Sequence, residues 1–390
     1  MAKELARRGH RVRYITLHHD WRFLDEREYV REGVEVFYVG QMQVLKRDGE
    51  KRYFSPVNLL RVTGHAVWAL QRAIASALAA DFSIVHLLKP QPVNSLGWWL
   101  CRARAGVRFF VDCDDYETGY AQRSRLLRYP VDWFEQAVPT WAEGVTYHTG
   151  AMRQRLLTWG VTANRLHELP NGVESSRFAQ VFPGLETELR QRLQPNSEPV
   201  ILYFGSLSIA SHAVDLLISA FAEVHSICPE ARFLIVGLGP DRAQLERMCV
   251  KYDISDVVTF EGEVPPEDIP SYLRIASVSV EATRRTDIAE GRFPLKLVES
   301  MAVGVPIVCG DVGERARILT SEGGDRAGVI VEPGSAEALA GGIIRILTTP
   351  SLAHALQQTG TKRALDFDWA QLIERLEAIY QAGPPGESDK

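Results

Sequence analysis

The sequence lacks the features that would place the chain across a membrane, on nucleic acid or around a structural metal. No uninterrupted apolar run reaches the length of a membrane span, and the first ten residues are typical of an amphipathic helix end and not of a signal peptide. The net charge of −5 argues against broad nucleic-acid binding. The five cysteines are an odd number without metal-ligand spacing, which favours a reducing, cytoplasmic compartment over a disulfide framework.

The composition and the pattern along the chain indicate a globular α/β protein. Its 390 residues are 46% apolar and 24% charged, and that length has room for two domains. Buried-strand patterns alternate with helical patterns in both halves, which predicts parallel sheets covered on both faces. We expect an N-terminal domain over 1–176, a polar connection over 177–198, a second domain over 199–365, a last helix over 366–381 and a disordered tail over 382–390. A cleft between the two domains is then the expected ligand site.

The rest of the chain is organised around the stretch from Glu290 to Cys309. It begins as a charged loop, enters a helix at about Pro294 and leaves it at Gly304. Lys296 and Glu299 are three residues apart and therefore share one helix face. A helix N-terminus with a cation suits a diphosphate, and a carboxylate suits sugar hydroxyls, so the pattern favours a nucleotide-sugar. The alternative is a solvated Lys–Glu pair on a structural helix.

Three further features have a functional and a structural interpretation. Lys89 and the acidic group Asp112, Asp114 and Asp115 follow predicted strands, where ligands bind in parallel sheets. The carboxylates are candidates for acceptor or catalytic contact, for helix caps or for metal ligands. A basic and aromatic segment, comprising Arg123, Arg125, Arg128, Trp133 and Phe134, suits either a membrane surface or an ordinary amphipathic helix. Gly237-Leu-Gly239 is only a weak dinucleotide signal, since the third glycine is missing.

Several motifs along nearly the whole chain resemble one known family. They are Leu5-Ala-Arg-Arg-Gly-His-Arg-Val12, Leu169-Pro-Asn-Gly-Val173, Val236-Gly-Leu-Gly-Pro240 and, most specifically, Leu297-Val-Glu-Ser-Met-Ala-Val-Gly-Val-Pro306. The chain resembles the retaining glycosyltransferases of the large group 1 (family four) type. That resemblance implies the GT-B fold, in which two Rossmann-like domains face each other across a cleft.

The resemblance also implies roles for particular residues. Glu299 would bind the donor ribose, and amides of the second domain would hold the diphosphate. The expected donor contacts are Glu299, Lys296, Leu295, Arg292, Phe293, Gly205, Ser206, His212, Gly237 and Val264, and the expected catalytic group comprises Asp114, Asp115 and Glu290. The expected partners are a nucleotide-sugar donor, a glycan or lipid-linked acceptor and a peripheral membrane surface at the inner face, without nucleic acid, metal or cofactor.

The chain departs from the family pattern at three places. In the family, a strand and a Gly-rich loop precede the helix that opens this chain, so we expect a first domain without its N-terminal strand. The family's two phosphate-binding cations are replaced by Ser206 and by Ser211/His212. Lys296, Arg292, Arg284 and Arg285 are the candidates to compensate, and we expect Lys296 to do so. Finally, Gly291 occupies the place of the first glutamate of the family's pair, with Glu290 beside it.

The predicted function is transfer of a sugar from a nucleotide-diphosphate sugar to an acceptor hydroxyl with retention, in cell-surface polysaccharide or glycolipid synthesis. One alternative is a catalytically impaired GT-B scaffold that binds nucleotide, glycan or a partner enzyme. Another is an epimerase on the same two-domain fold.

Overall fold

The computed structural model describes residues 1–47, 50–101, 106–116, 125–180, 182–194 and 196–382. The chain divides into two compact units. Residues Met1–Leu169 and the segment from Ile373 onward belong to the first unit, and Pro170–Leu372 form the second.

The first unit contains two main sheets and a hairpin. Its strands are β1 (Val12–His18), β2 (Glu28–Arg31), β3 (Val34–Gln41), β4 (Val44–Arg47), β5 (Glu50–Tyr53), β6 (Ile84–Leu88), β7 (Arg108–Cys113), β8 (Gly144–Tyr147) and β9 (Leu166–Glu168). Its helices are α1 (Ala2–Arg7), α2 (Pro56–Ala79), α3 (Pro92–Trp99), α4 (Arg125–Trp141) and α5 (Gly150–Thr158). One sheet has the order β1-β3-β2, the other is the parallel sheet β6-β7-β8-β9, and β4 pairs with β5.

The second unit is a single parallel sheet covered by helices. Its strands are β10 (Val200–Phe204), β11 (Arg232–Val236), β12 (Val258–Gly262), β13 (Val278–Glu281), β14 (Ile307–Gly310) and β15 (Gly328–Val331). Its helices are α6 (Ser175–Ala179), α7 (Pro183–Leu193), α8 (Ile209–His212), α9 (Val214–Ile227), α10 (Arg242–Lys251), α11 (Ile269–Ile275), α12 (Asp287–Gly291), α13 (Leu295–Val303), α14 (Arg315–Ile318), α15 (Ala336–Thr348) and α16 (Pro350–Ala364). The last helix, α17 (Trp369–Gln381), runs into the first unit.

Continuous apolar runs explain why the second sheet is the better buried one. Every residue of β10 and of β13 is buried, as expected for strands covered on both faces. Side chains from α9 and α15 pack on one face of the sheet, and side chains from α11 and α13 pack on the other. In the first unit β7 and β8 are similarly buried, whereas every residue of β1 is at least partly exposed.

The structure differs from the sequence interpretation at two places that affect the site. The expected connection 177–198 lies in the second unit and contains α7, because Leu189 and Leu193 are four residues apart and bury one helix face. The expected loop at Glu290 is the helix α12, whose N-terminus is capped by the Thr286 hydroxyl accepting from the Ala289 N–H. The disordered tail predicted over 382–390 lies, apart from Ala382, outside the described residues.

The described residues include no single membrane-spanning helix and no metal-binding cluster. No single helix is long and apolar enough to cross a bilayer, although the pair Ala336–Thr348 and Pro350–Phe367 would meet the length and composition requirement together and bends by 100°. No group of three or more His, Cys, Asp or Glu side chains in the described ranges is arranged to hold a metal ion. All five cysteines lie in the described part of the chain and are buried.

Candidate functional site

The carboxyl end of β10 is the topological switch point of the second sheet. The strand order is β12-β11-β10-β13-β14-β15, so the chain leaves β10 toward one side of the sheet and later returns to the other side at β13. Ligands of such sheets bind outside the carboxyl ends of the strands at this point. The loop that follows β10 is therefore the place to look for a binding group.

Two glycines let the loops after β10 and β11 touch. A Cβ atom on Gly237 would lie 2.0 Å from the Gly205 carbonyl oxygen, and both residues have positive φ, +139° for Gly205 and +136° for Gly237. The Gly205 N–H donates to the Val236 carbonyl oxygen at 2.9 Å. Glycine is the residue that combines this close approach with positive φ. Both predicted glycines therefore lie in contacting loops at the switch point, after β10 and β11.

Lys296 places a positive charge beside the loop that contains Gly205. Its side chain rises from α13, and Nζ lies 4.4 Å from the centroid of the Tyr203 ring on β10. A Cβ atom on Gly205 would be 3.1 Å from Nζ, so the ammonium lies directly against the loop. Nζ is buried and has no hydrogen-bond partner among the described residues. A buried ammonium without a partner carries a desolvation cost that a bound anion would offset.

The surroundings of Lys296 confirm that its charge is poorly compensated. Burial lowers the pKa of Lys296, the Glu281 carboxylate opposes that shift and the Arg292 guanidinium adds to it, so that the pKa is about 8. That carboxylate is engaged elsewhere, because Arg315 Nε and Nη2 donate to its two oxygens at 2.9 and 3.1 Å. The pair of Glu281 and Arg315 is almost fully buried.

His212 and Arg292 complete the group around the ammonium. Burial lowers the pKa of His212 to about 3, with Lys296 and Arg292 contributing, so this imidazole is neutral at physiological pH. Arg292 Nη1 donates to the Ser211 carbonyl oxygen at 3.0 Å, which ties the segment before α13 to α8. The region thus holds two cations and a neutral imidazole that can donate or accept.

Glu299 lies one turn further along α13. Burial raises the pKa of its carboxyl group, and the positive charges of Arg177 and Lys296 oppose that rise. No hydrogen bond or ion pair to this carboxylate forms within the described chain. Arg177 is the nearby cation that sequence reasoning missed, and its Nε atom is also buried without a partner in the described residues. A partly buried carboxylate with free acceptor capacity is suited to sugar hydroxyls.

The backbone at the start of α13 contributes less than the sequence suggests. The Leu295 N–H donates to the Phe293 carbonyl oxygen at 3.1 Å, and the Leu297 N–H donates to Pro294 at 3.0 Å. These two first-turn donors are therefore already satisfied. The Lys296 ammonium, and not a row of free amides, is therefore the main positive group at this helix end.

The structure places several other predicted residues away from this group. Phe293 is buried in the core of the second unit with its ring 6.0 Å from that of Phe367, and Leu295 and Val264 pack against the same core. Ser206 is exposed, and its carbonyl oxygen accepts from the Tyr203 hydroxyl.

Two of the four candidate cations are already paired with carboxylates. Arg284 makes a bidentate contact with Asp215 at 2.9 and 2.6 Å. Arg285 pairs with Glu290 at 3.2 Å, and both side chains are well exposed. Glu290, the predicted catalytic carboxylate on α12, is therefore held by this exposed arginine.

A second polar group lies at the carboxyl ends of β6, β7 and β8 in the first unit. Lys89, whose φ of +58° is unusual for a lysine, places Nζ 3.3 Å from Asp114 and 3.4 Å from Asp115. Burial raises the pKa of Asp114, and its Oδ1 atom is buried with no hydrogen-bond partner among the described residues. The structure therefore brings both predicted carboxylates together on one cation.

Asp112 belongs to a separate buried pair behind this group. His148 Nε2 lies 3.2 Å from its Oδ1 atom, and the Thr146 hydroxyl also donates to it. Burial opposes a charged imidazole, yet the Asp112 carboxylate outweighs that effect and raises the pKa of His148. This pair explains Asp112 structurally and was not visible in the sequence, because His148 follows another strand, β8.

Helix α4 is amphipathic and exposes aromatic rings. Tyr129, Trp133 and Trp141 are exposed on it, and Trp133 contacts Phe134 and Trp141 edge to face. Arg123 lies outside the described residues, as does the side chain of Arg125. Contact of this helix with a membrane surface stays a prediction.

Two protein families match this chain, one in each half. The family described as "Glycosyl transferases group 1" matches residues 186–363, and the family described as "Glycosyl transferase 4-like domain" matches residues 1–172. A structure of sucrose-phosphate synthase from Thermosynechococcus elongatus is similar over 97% of this chain and 90% of that chain, with a TM-score of 0.73 and 22% identity. The glycosyltransferase WaaG, involved in lipopolysaccharide biosynthesis, has a TM-score of 0.68 and 17% identity over 98% of this chain and 94% of its own. At these identities the likeness shows the fold.

Curated relatives match over shorter regions. A GDP-mannose-dependent phosphatidylinositol monomannoside mannosyltransferase from Mycolicibacterium smegmatis is 27% identical over 248 residues, which are 62% of this chain and 64% of the relative. A D-inositol 3-phosphate glycosyltransferase from Acidothermus cellulolyticus is 27% identical over 253 residues, 62% of this chain and 52% of the relative. The matched region thus spans less than two thirds of these proteins. Together with the two family matches and the fold, these likenesses show that the chain belongs to the group 1 glycosyltransferases of the GT-B fold.

Proposed function

We propose that the chain transfers a glycosyl group from a nucleoside diphosphate sugar to an acceptor hydroxyl, with retention of configuration. The observation that carries the proposal is the buried ammonium of Lys296, which lies without a partner in the described chain against the loop that ends β10. A diphosphate is the ligand that this position suits best, because it brings two negative charges to a desolvated cation at a switch point.

Lys296 and its neighbours each contact a different part of the proposed donor. The ammonium takes the diphosphate, with Arg292 as a second cation, and stabilises the negative charge that grows on the departing phosphate. Glu299 accepts hydrogen bonds from the ribose hydroxyls one helical turn away. Neutral His212 donates to or accepts from a phosphate or sugar oxygen without adding charge. Positioning and charge stabilisation are the main contributions that such a site makes to group transfer.

The names of the relatives support a choice of donor and acceptor classes. Several relatives are named as GDP-mannose-dependent phosphatidylinositol monomannoside mannosyltransferases. The structure of Anabaena HepE, 16% identical with a TM-score of 0.66, was determined with UDP and glucose. We therefore propose GDP-mannose as the first donor to test, UDP-glucose as the second, and a glycan or glycolipid as the acceptor.

Polar residues of the first unit are the proposed contacts of the acceptor. Lys89, Asp114 and Asp115 lie at the carboxyl ends of β6 and β7. Because burial raises the pKa of Asp114 and one of its oxygens is unsatisfied in the described chain, this carboxyl is suited to a hydroxyl of the sugar or acceptor.

Replacing Glu299 by glutamine is expected to weaken binding of UDP or GDP roughly fivefold, since about 1 kcal/mol separates a charged from a neutral acceptor. The affinity for inorganic pyrophosphate should not change, because that ligand has no ribose. Calorimetric titration of both ligands into wild type and Glu299→Gln measures the difference. Equal loss for pyrophosphate would remove the ribose role from Glu299.

The Asp114→Asn variant is expected to lower the transfer rate roughly tenfold, the effect of about 1.4 kcal/mol on the barrier. Donor affinity should stay at the wild-type value, because Asp114 lies in the other unit. Asp115→Asn is the matched control, as it removes the same charge beside Lys89 from a carboxyl that has no buried, unpaired oxygen among the described residues. Full turnover by both variants would exclude these carboxylates from the reaction.

A second candidate is a scaffold that binds nucleotide without turnover, which the serines in place of the family's two cations favour. The two functions differ in one assay. Titration with UDP and GDP is followed by a donor-hydrolysis and transfer assay with GDP-mannose and UDP-glucose. Binding without any hydrolysis or transfer would select the scaffold, whereas consumption of either donor supports the transferase.

A further inference from the structure

Arg177 connects two parts of the second unit that border the candidate donor site. It is carried by α6, which packs against α13, the helix of Lys296 and Glu299. Its Nη2 atom donates to the carbonyl oxygen of Pro266 at 2.5 Å. Pro266 begins a 3₁₀ turn two residues after Val264, one of the expected donor contacts. The arginine thus links α6, beside the helix of Glu299, to the loop that follows β12.

The guanidinium of Arg177 is held in place, yet one of its donors is unused. Its Cζ atom lies 5.0 Å from the centroid of the Phe178 ring, and Phe178 is buried in the core of the second unit. Nε is buried and has no hydrogen-bond partner among the described residues. The contact with Pro266 and the packing on the ring therefore fix the guanidinium while one N–H stays unsatisfied within this part of the chain.

Arg177 acts on Glu299 through its charge and not through contact. Burial raises the pKa of the Glu299 carboxyl group, and the charge of Arg177 is the largest influence that opposes this rise. No hydrogen bond or ion pair joins the two side chains in the described chain. An ion pair in contact would occupy the carboxylate oxygens, whereas a cation at a longer distance still favours the ionised form.

The other ionisable groups around Glu299 are engaged elsewhere. Lys296, on the same helix, is the second cation that opposes the raised pKa of Glu299. Lys362 on α16 is exposed, and Cys309 on β14 stays neutral because burial raises the pKa of its thiol. The remaining ionisable side chains at the helices packed against α13 have partners of their own: Glu174 with Ser176, Tyr272 with Glu261, Arg274 with Glu186, Arg315 with Glu281, Arg317 with Glu314, His354 with Gln358, and Arg363 with Asp366.

We propose that Arg177 is a positioning residue for nucleotide binding: its guanidinium keeps the Glu299 carboxylate ionised while both carboxylate oxygens stay free to accept from the donor ribose. The proposal rests on the ribose role of Glu299 proposed above. An ionised carboxylate is a stronger acceptor than the neutral acid. Because burial by itself favours the neutral acid, the charge of Arg177 preserves the stronger acceptor, and the contact with Pro266 holds the guanidinium away from its oxygens.

The test determines the pH below which Glu299 no longer contributes to UDP binding. Calorimetric titration of UDP between about pH 4.5 and 8 compares wild type with Glu299→Gln, and Arg177→Met with the double variant Arg177→Met/Glu299→Gln. Within each pair, the ratio of the two affinities removes the titration of the nucleotide's own phosphates. For wild type the ratio should be roughly fivefold at the upper end of this range and should fall to one as Glu299 becomes protonated.

Loss of the charge at position 177 should raise the pH midpoint of this fall by about one unit, because a nearby opposite charge stabilises the ionised carboxyl group. Arg177→Gln keeps an amide donor toward Pro266 and should shift the midpoint as far as Arg177→Met does. Arg177→Lys keeps the charge, so its midpoint should stay within about 0.3 units of wild type. Pyrophosphate has no ribose and should give a ratio of one in each pair at every pH.

Three results would overturn the proposal. One is equal midpoints for wild type and both neutral variants while Glu299→Gln still weakens binding; the proposed function would then stand, and Arg177 would only hold the loop at Pro266. Another is a midpoint that Arg177→Lys shifts as far as Arg177→Met, which would mean that charge is not the cause. The third is equal UDP affinity of wild type and Glu299→Gln at every pH, which would also remove the ribose role from Glu299.

Discussion

Replacing Arg315 by alanine is expected to lower the free energy of unfolding of the second unit by about 3–5 kcal/mol. The guanidinium is 1% exposed and donates to both oxygens of Glu281 and to the carbonyl oxygens of Ala289 and Val312. The substitution leaves a buried carboxylate without its cation, and a lone charge in a low-dielectric interior is much less favourable than the pair.

The double variant Glu281→Leu/Arg315→Met is the control for this effect. It removes both charges and retains most of the volume, so its stability should return to within about 1–2 kcal/mol of wild type. Differential scanning calorimetry of the full chain measures the transition of each unit. A double variant as unstable as Arg315→Ala would mean that the lost packing, and not the isolated charge, causes the effect.

Replacing Lys296 by alanine is expected to weaken binding of UDP or GDP roughly 10- to 100-fold, since a hydrogen bond to a charged group contributes about 1.5–3 kcal/mol. The same variant should not lose stability in the absence of ligand. In wild type the ammonium is buried without a partner in the described chain, so removing it relieves a desolvation cost. Loss of affinity together with unchanged or higher stability distinguishes a binding group from a structural one.

Lys296→Met is the matched variant, because it fills the space beside Tyr203 without a charge. Its nucleotide affinity should fall as much as that of the alanine variant, and its melting temperature should be at least that of wild type. Calorimetric titration and thermal unfolding measure the two quantities. A melting temperature several degrees lower, with nucleotide affinity intact, would make Lys296 a structural residue.

The strands and the central helix of the second unit could be predicted from the sequence because local rules determine them. Pro294 and Gly304 mark the ends of α13, and the buried-strand patterns of the second half are observed as strands at 200–204, 232–236 and 278–281. The helix α12 was missed since its cap, Thr286, lies in a charged segment typical of a loop. The polar surface of α7 similarly concealed the spacing of its buried leucines.

The helix that carries the candidate site could be predicted from the sequence. Which of its charged side chains are paired could not. The spacing of Lys296 and Glu299 follows from the sequence, but the missing partner of Lys296 depends on what the fold places beside it. Arg284 and Arg285 were equally good candidate cations, and only the fold shows that both pair with carboxylates. The Glu281–Arg315 pair joins a strand to a helix 34 residues away, which no local pattern indicates.

The pH dependence of nucleotide binding is the clearest test of whether the Lys296 ammonium binds the diphosphate. Because the pKa of Lys296 in the free protein is about 8, well below the usual lysine value, a bound diphosphate should restore the charged form. Affinity should therefore be full below pH 8 and should fall as the pH rises above it, by up to about tenfold per pH unit. The same depressed pKa means that the free protein should gain stability over this range, since the unfolded chain still binds the proton.

The measurement is calorimetric titration of UDP and GDP from pH 7 to 9.5 with wild type, Lys296→Arg and Lys296→Met. The nucleotide base titrates equally with all three proteins. The ratio of two proteins' affinities at each pH therefore reports on residue 296 alone. As the pH rises, the affinity of wild type should fall relative to that of Lys296→Arg, whose guanidinium stays charged throughout. If the affinities of wild type, Lys296→Met and Lys296→Arg fall in parallel as the pH rises, the Lys296 ammonium does not bind the diphosphate.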